Sequence, residues 1–308
     1  MNPLTQFKRL LILPLLSLGA IFALAITTHA QNLYVSVNGA FCGFNCTNFN
    51  GSISEYTPDG MQSTFASVAR PRGLAFDTSG NLFAAVNHLG PPTQFHGSIS
   101  KYPTVGAQSV FGNVALSIIQ GLVTDSGGNV FAMADSGSKT IGDVANIYKF
   151  APDGTRAFFG SVPNAGGFGL ALDSGGNLYA ADSDDQTIYK FAPDGTRTVF
   201  VGPSAFAEGT GPVGLAFDSA GNLFVSTEGD PGNDTILVFT PNGMESTFAT
   251  GLTNPRGLAF NGSGYLFVAE LRNAPDGDIL KFAPGGGAPT VFASGLDLPE
   301  YLTFGPPR

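Results

Sequence analysis

The chain has 308 residues, 43% of them hydrophobic, so it is long enough to bury a large core. Its 42 glycines, 21 prolines and 27 phenylalanines, with no tryptophan and only 12% charged residues, favour many short strands joined by tight turns. The net charge of −9 argues against nucleic acid and anionic membrane surfaces as partners, because both require a basic protein surface.

Residues 1–30 have the features of a Sec signal peptide. Lys8 and Arg9 precede an apolar run, residues 10–26, and Ala30 is the small residue expected before cleavage. A retained membrane anchor would need about 20 apolar residues, and this run is shorter and is interrupted by a proline. We therefore expect cleavage after Ala30 and export to a periplasm or to the cell exterior. Removal of this segment would leave 12 of the 14 basic residues and all 23 acidic ones.

The two cysteines of the chain, Cys42 and Cys46, come shortly after the predicted cleavage site. In an oxidising compartment, a local disulfide that closes one loop is the favoured interpretation. A metal site would need more soft ligands, and a redox pair usually has two residues between its sulfurs, where this pair has three.

One phrase recurs along the rest of the chain: Gly-Leu-Ala-Phe-Asp, a glycine turn, Asn-Leu-Phe-Val, a variable stretch, and Ile-Tyr-Lys-Phe-x-Pro-Asp-Gly. Its second part begins at Asn32, Asn81, Asn129, Asn177, Asn222 and Tyr265. The spacing of roughly 43 to 49 residues is typical of the four-stranded blades of a β-propeller. Six starts predict six blades.

Each repeat contains four runs of strand length, which we name strands a to d. In the fourth repeat these are residues 169–173, 177–181, 187–191 and 196–200. The a-to-b turn is rich in residues that tolerate positive φ, and a Pro-Asp-Gly sequence joins c to d. Both turns recur in most repeats.

Aromatic residues recur at matching positions of strands c and d. The strand c row is Tyr56, Tyr102, Phe150, Phe191, Phe239 and Phe282. The strand d row is Phe65, Phe111, Phe159, Phe200, Phe248 and Phe292. Alternation along a strand places such a row on one face, so we expect it to pack between neighbouring blades.

The two ends of the chain complete one blade. The mature sequence begins with a strand b at Asn32, and residues 300–304 match strand a. The C-terminal strand therefore completes the N-terminal blade and closes the ring without an open sheet edge. The predicted fold is all-β, a single six-bladed β-propeller over residues 31–308 with four antiparallel strands per blade, and we expect a monomer.

The sequence Pro-x-Gly-Leu-Ala-Phe-Asp-x-x-Gly-Asn-Leu-Phe-Val resembles the NHL repeat and the related SMP-30/gluconolactonase and streptogramin-lyase-like propellers, over nearly all of residues 31–308. The resemblance implies that the d-to-a and b-to-c connections share one face, around the mouth of a central channel. It implies no single activity, because these families include lactonases, lyases and binding scaffolds.

The residue before the strand a glycine should point towards this mouth. Around the ring these residues are Glu300, Arg72, Gln120, Phe168, Val213 and Arg256. Ring closure would place Glu300 between the blades that carry Arg72 and Arg256. The set could be an ion cluster that only stabilises closure. Alternatively, Arg72, Gln120, Arg256 and Glu300 form a binding site for a carboxylate or another small polar ligand.

Resemblance to SMP-30 implies a divalent cation over the channel, held by a Glu and by Asn and Asp residues at these positions. Glu300 matches the Glu and Gln120 could replace an Asn, whereas Phe168 and Val213 provide no oxygen ligand. A cation such as Ca²⁺ is nevertheless the one cofactor that the sequence suggests. Its candidate ligands are Glu300, Asp230 and Asp234.

His88 and His96 both lie in the predicted b-to-c loop of the second blade. Streptogramin-type lyases use a His near the channel, so His88 joins Glu300 as a candidate catalytic residue. The alternative is that both are ordinary loop histidines, since two cannot form a three-His zinc site.

The predicted b-to-c loops hold 11 of the 23 acidic residues. They are Asp135, Asp143, Asp182, Asp184, Asp185, Glu228, Asp230, Asp234, Glu270, Asp276 and Asp278. They either solvate turns and cap loops, or bind Ca²⁺ or a basic partner.

The sequence is compatible with two functions. The first is a scaffold that binds a small molecule or a protein through its acidic top face. The alternative is a hydrolase or lyase that acts on a small lactone or cyclic ester through Glu300, Arg72, Arg256 and His88.

Overall fold

The computed structural model describes residues 30–39, 51–90, 94–135, 144–163, 166–229, 232–272 and 276–307. Within these ranges the chain forms 24 strands and one 3₁₀ helix, Pro203–Ala205. No helix in them is long and apolar enough to cross a membrane. The signal peptide before Ala30, the Cys42–Cys46 disulfide, Asp143 and Asp230 lie outside the described residues.

The strands succeed one another with short connections. In the first half of the chain they are β1 Leu33–Val37, β2 Ser52–Tyr56, β3 Gln62–Ser67, β4 Pro71–Phe76, β5 Leu82–Gly90, β6 Gln94–Tyr102, β7 Ser109–Val114, β8 Ile118–Thr124, β9 Val130–Asp135, β10 Val144–Phe150, β11 Arg156–Pro163 and β12 Gly167–Leu172. In the second half they are β13 Leu178–Asp182, β14 Thr187–Phe191, β15 Arg197–Val201, β16 Gly211–Phe217, β17 Leu223–Glu228, β18 Asp234–Phe239, β19 Glu245–Leu252, β20 Pro255–Phe260, β21 Leu266–Glu270, β22 Gly277–Phe282, β23 Thr290–Leu296 and β24 Pro299–Phe304.

These strands form six antiparallel four-stranded sheets, which confirms the predicted six-bladed propeller. Blade 1 has the strand order β24-β1-β2-β3, and blades 2 to 6 each take four consecutive strands, from β4–β7 to β20–β23. The C-terminal strand pairs with β1, with Leu33 opposite Phe304 and Val35 opposite Leu302. The predicted ring closure is therefore present, and the innermost strand of blade 1 comes from the other end of the chain.

The a-to-b turns are shaped by the side chain of their first residue. In blade 4, Asp173 Oδ1 accepts the backbone N–H groups of Gly175 and Asn177, both at 2.9 Å. Gly176 has φ 78°, which a residue with a side chain adopts only under strain. The turn holds Leu172 opposite Leu178, so the hydrophobic alternation of both strands stays in register.

Each strand d phenylalanine joins two blades. Phe111 packs edge-on against Phe83 of its own blade, with ring centroids 4.8 Å apart, and lies 6.2 Å from Phe150 of blade 3. The same contact between blades recurs around the ring: Phe65 to Tyr102, Phe159 to Phe191, Phe200 to Phe239, Phe248 to Phe282 and Phe292 to Tyr56. This confirms the predicted packing of the aromatic rows between blades.

The six innermost strands line the channel, and they approach most closely at one residue of strand a. Five blades have glycine there, namely Gly73, Gly121, Gly169, Gly214 and Gly257. A Cβ atom at Gly214 would overlap the carbonyl oxygen of Arg256 in the next blade. Blade 1 has Tyr301 at this position, and Tyr301 is one of the residues that line the channel cavity of about 290 Å³. One bulky residue therefore interrupts a ring of glycines.

The seam between blades 6 and 1 carries an additional polar link. Gln31 Nε2 donates to the carbonyl oxygen of Gly305, and Gln31 Oε1 accepts the N–H of Gly262, both at 2.9 Å. We expect Gln31→Ala to lower the free energy of unfolding by about 1–2 kcal/mol, because it loses one hydrogen bond between the two ends of the chain in blade 1 and one between blades 1 and 6. Urea denaturation measures this. Gln62→Ala, which removes a hydrogen bond within blade 1, is the control, and an equal loss in both variants would contradict the expectation.

Candidate functional site

The starts of the innermost strands bring the predicted mouth residues together at one end of the channel. Arg72 Nη1 donates to Gln120 Oε1, and Arg72 Nη2 lies 3.5 Å from Glu300 Oε1. Arg256 Nη1 lies 3.9 Å from Glu300 Oε2, and the Arg256 guanidinium stacks across the channel on Phe168, 5.3 Å from the ring centroid. Ring closure therefore places Glu300 between two guanidinium groups, as expected.

Two further residues complete this cluster, and the repeat pattern does not predict them as part of it. Arg256 Nη2 contacts Glu228 Oε1 at 2.8 Å, and Asn38 Nδ2 donates to Glu300 Oε1 at 3.3 Å. Glu228 ends β17, a strand b, where the sequence predicts an acidic loop. We call Asn38, Arg72, Gln120, Phe168, Glu228, Arg256, Glu300 and Tyr301 the mouth cluster. Val213, also predicted at the mouth, is buried apolar packing with 1% exposure.

The two carboxylates of the mouth cluster have pKa values shifted in opposite directions. Burial alone would raise the pKa of Glu300, but Arg72 and Arg256 outweigh it and hold the pKa below its ordinary value. Burial raises the pKa of Glu228, and the negative charges of Glu300 and Asp234 add to the rise, whereas Arg256 opposes it. Glu300 is therefore the firmly ionised member of the pair.

Four buried polar atoms of the mouth cluster have no hydrogen-bond partner within the described part of the chain. Two are acceptors, Asn38 Oδ1 and Glu300 Oε2, and two are donors, Arg256 Nε and Tyr301 Oη. Burial raises the pKa of Tyr301 well above its usual value, so its hydroxyl stays protonated and available as a donor. Buried polar groups in folded proteins almost always have partners, so these four atoms are the polar groups of the cluster that the described residues leave unsatisfied.

A groove leads away from the cluster between blades 4 and 5. Its volume is about 430 Å³, and Phe168, Val213 and Glu228 form its inner end. Asp184, Gln186 and Thr210 line the part that lies further out. A ligand seated at the mouth could therefore extend along the top face over a mixed apolar and polar surface.

The mouth cluster does not fit a divalent cation. Its most buried carboxylate, Glu300, is paired with Arg72 and Arg256, and cations already in place oppose a further one. No group of three or more His, Cys, Asp or Glu residues in the described ranges is arranged to hold a metal ion. The candidate ligand Asp234 is buried and accepts the N–H of Asn254 at 2.9 Å, so it fixes a d-to-a connection.

The two histidines lie in strands, which corrects the predicted loop. Strands β5 and β6 are nine residues long, and His88 and His96 pair directly across them near their tip. The β5–β6 hairpin is long because the hydrogen-bonded pairing of its two strands continues to Gly90 and Gln94. Both histidines are exposed, and within the described ranges no hydrogen bond or ion pair joins His88 to the mouth cluster.

The acidic top face is smaller than predicted. Six of the 11 acidic residues lie at strand ends, where four are buried: Asp182, Asp234, Glu270 and Asp278. Glu270 Oε1 accepts the N–H of Thr253 at 2.7 Å, and its Oε2 binds Arg272 at 2.7 Å. These carboxylates hold connections in place, because a buried acceptor satisfies backbone N–H groups that the sheets leave unpaired.

Comparison with known proteins supports the fold and leaves the family open. No protein-family model matches the chain, and neither does any curated protein. Among similar solved structures, TolB from Acinetobacter baumannii has a TM-score of 0.61 and 11% sequence identity, and the match covers 89% of this chain and 66% of that one. Virginiamycin B lyase from Staphylococcus aureus has a TM-score of 0.53 and 16% identity, with 72% of this chain and 69% of that chain covered. A protein provisionally assigned as a gluconolactonase has a TM-score of 0.55 and 17% identity, with 78% of this chain and 88% of that chain covered. At these identities the likeness shows the propeller fold alone, and membership of the NHL or SMP-30 families stays a prediction.

Proposed function

We propose that this protein is an exported propeller that binds a small carboxylate at the mouth of its channel. The observation that carries the proposal is the set of four buried polar atoms around Glu300 that lack partners in the described residues. Two donors and two acceptors so close together match a compact ligand that both accepts and donates hydrogen bonds. A carboxylate with a second polar group has that character.

The local charge favours an anion. Glu300 lies between the guanidinium groups of Arg72 and Arg256, and Arg70 adds a third positive charge that acts on it, in a protein whose overall charge is −9. Burial is the main cause of the lowered pKa of Arg70, and repulsion from the neighbouring Arg72 adds to it, while Glu300 opposes it. An incoming carboxylate would relieve that repulsion, and guanidinium groups are suited to binding it through paired N–H donors.

The Tyr301 hydroxyl gives the sharpest test. Because it has no protein partner in the described residues, Tyr301→Phe should leave the stability of the free protein nearly unchanged, while it removes one donor from the ligand. The probe is succinate at about pH 5, where one of its two carboxyl groups still carries a proton and can donate, and its uncharged diamide is the reference. We expect calorimetric titration to show binding of succinate only. In Tyr301→Phe and in Arg72→Gln, affinity should fall by about tenfold.

Arg156→Gln provides the matched control, because Arg156 lies on the outer strand β11 over the ring of Tyr148. It loses the same charge as Arg72→Gln and should bind succinate like the unaltered protein. Equal binding of succinate and its diamide, or full affinity in both mouth variants, would show that the cluster serves only ring closure.

A further inference from the structure

A second pocket lies at the opposite end of the molecule, where blades 6 and 1 meet beside the a-to-b turns. Its volume is about 490 Å³. Four aromatic residues line it, Tyr265, Phe267, Phe292 and Phe304, and its polar lining residues include Asn261 and Lys281. We call it the seam pocket. It shares no lining residue with the mouth cluster, so a ligand site there is independent of the proposed function.

Blades 3 and 4 have a carboxylate paired with a lysine at the corresponding place. In blade 4, Asp173 Oδ2 accepts from Asn177 Nδ2 at 2.8 Å and lies 3.8 Å from Lys190 Nζ. Blade 3 repeats the arrangement, with Asp125 Oδ2 at 2.7 Å from Asn129 Nδ2 and 3.9 Å from a lysine Nζ. One carboxylate oxygen thus meets two donors, one of them cationic.

Blade 6 keeps the lysine and loses the carboxylate. Asn261 replaces the Asp and Tyr265 replaces the Asn, while Lys281 remains. Asn261 Oδ1 accepts the N–H groups of Ser263 and Tyr265 at 3.0 and 2.9 Å, as the Asp Oδ1 atom does in the other blades. The amide nitrogen of Asn261 therefore takes the place of the missing carboxylate oxygen, and a donor stands where the other blades have an acceptor.

Lys281 has no carboxylate within ion-pair distance in the described residues. Its Nζ lies 4.5 Å from the ring centroid of Tyr265 and 5.5 Å from that of Phe267, so aromatic faces are its neighbours. The Lys281 ammonium group can still attract an anion, because its interaction with an aromatic ring is weaker than an ion pair with a carboxylate. Asn261 Nδ2 and Lys281 Nζ are thus two donors on the wall of an aromatic pocket.

We propose that the seam pocket binds a carboxylate with an aromatic or similarly flat apolar body. The carboxylate takes the position that Asp125 and Asp173 occupy in blades 3 and 4, between Asn261 and Lys281. The apolar body packs against Phe267, Phe292 and Phe304. The pocket volume is at the lower end of the range that small-molecule sites occupy, which suits a ligand of about ten non-hydrogen atoms.

Phenylacetate is a suitable probe, and phenylacetamide is its uncharged counterpart. We expect saturable binding of phenylacetate with a dissociation constant below about 1 mM, and binding of the amide at least about tenfold weaker. Lys281→Met should weaken phenylacetate binding by about tenfold or more.

Asn261→Asp gives the sharpest variant, because it restores the arrangement of blades 3 and 4. The new carboxylate should pair with Lys281 and exclude the probe, so phenylacetate binding is lost while the thermal unfolding midpoint is retained or raised. Lys190→Met, the matched change in blade 4, should leave the affinity unchanged, since Lys190 already has Asp173.

Three results would overturn the proposal. They are absence of saturable phenylacetate binding, equal affinity for the amide, and unchanged affinity in Lys281→Met and Asn261→Asp. Binding that is lost in Arg72→Gln and kept in Lys281→Met would place the probe at the mouth cluster and would likewise refute a seam site.

Discussion

Removal of the last ten residues, 299–308, should abolish cooperative folding. The deletion takes away β24, the innermost strand of blade 1, and with it Glu300 and the buried Leu302. Strand β1 would then present an open edge to the channel, and blades 2 and 6 would lose the neighbour that joins them. The expected result is a chain without a cooperative transition in urea, as monitored by far-ultraviolet circular dichroism.

A circular permutant tests whether β24 also completes blade 1 when a hairpin turn, and not the closure of the ring, connects it to β1. Phe304 lies opposite Leu33 as Leu172 lies opposite Leu178, so the a-to-b turn of blade 4 has the right length to join them. Residues 299–304, joined through Asp-Ser-Gly-Gly to residues 32–298, should form all six blades with ordinary connectivity. Cooperative folding of the ten-residue deletion, or failure of the permutant to fold, would contradict the closure mechanism.

Asp182 should make the protein less stable as the pH rises. Its carboxyl group is fully buried, Oδ1 accepts the N–H of Asp185 at 3.1 Å, and Oδ2 has no partner in the described residues. Burial raises its pKa from 3.8 to about 7, and the nearby carboxylates of Asp184 and Asp185 add to this. The group is therefore neutral in the folded protein at pH values where it is ionised in the unfolded chain.

The sign of the effect is set by this raised pKa. The stability that the neutral group contributes is fully present below about pH 4 and is lost as the pH rises through about 7, a change of about 4 kcal/mol. Asp182→Asn keeps a neutral side chain with an acceptor oxygen. We expect it to match the unaltered protein near pH 4 and to exceed its free energy of unfolding by about 4 kcal/mol near pH 8.

Urea denaturation across this pH range tests the expectation. Glu208→Gln, which removes the same charge from an exposed position, should run parallel to the unaltered protein at every pH. If Asp182→Asn also runs parallel to it, Asp182 does not carry the pH dependence.

The architecture could be predicted from the sequence because each blade repeats the same local rules. The hairpin Asp that accepts two backbone N–H groups, the glycine with positive φ and the aromatic rows all recur, so a single register accounts for six sheets. Strand ends were less predictable. Strands β5 and β6 extend to His88 and His96 because the ladder continues through Asn87, whose side chain bonds the backbone of Ile119 in the next blade and does not form a turn.

The mouth cluster could be predicted only in part. Arg72, Gln120, Arg256 and Glu300 share one position of strand a, so the repeat alignment finds them together. Glu228 comes from the end of a strand b in another blade, and the pairing of Glu228 with Arg256 depends on distances across the channel that no alignment of repeats contains. In the sequence, Glu228 is one of 11 acidic residues in the predicted b-to-c loops, and nothing distinguishes it there from the other ten.

Tyr301 breaks the sixfold symmetry of the channel. A propeller of six equal sectors would offer a molecule on its axis six equivalent orientations, and no single orientation would be selected. One aromatic side chain in a circle of five glycines removes that equivalence, so the axial site has a distinguishable front and back. Directional recognition on a repetitive scaffold can therefore arise from one position at which the repeat is broken.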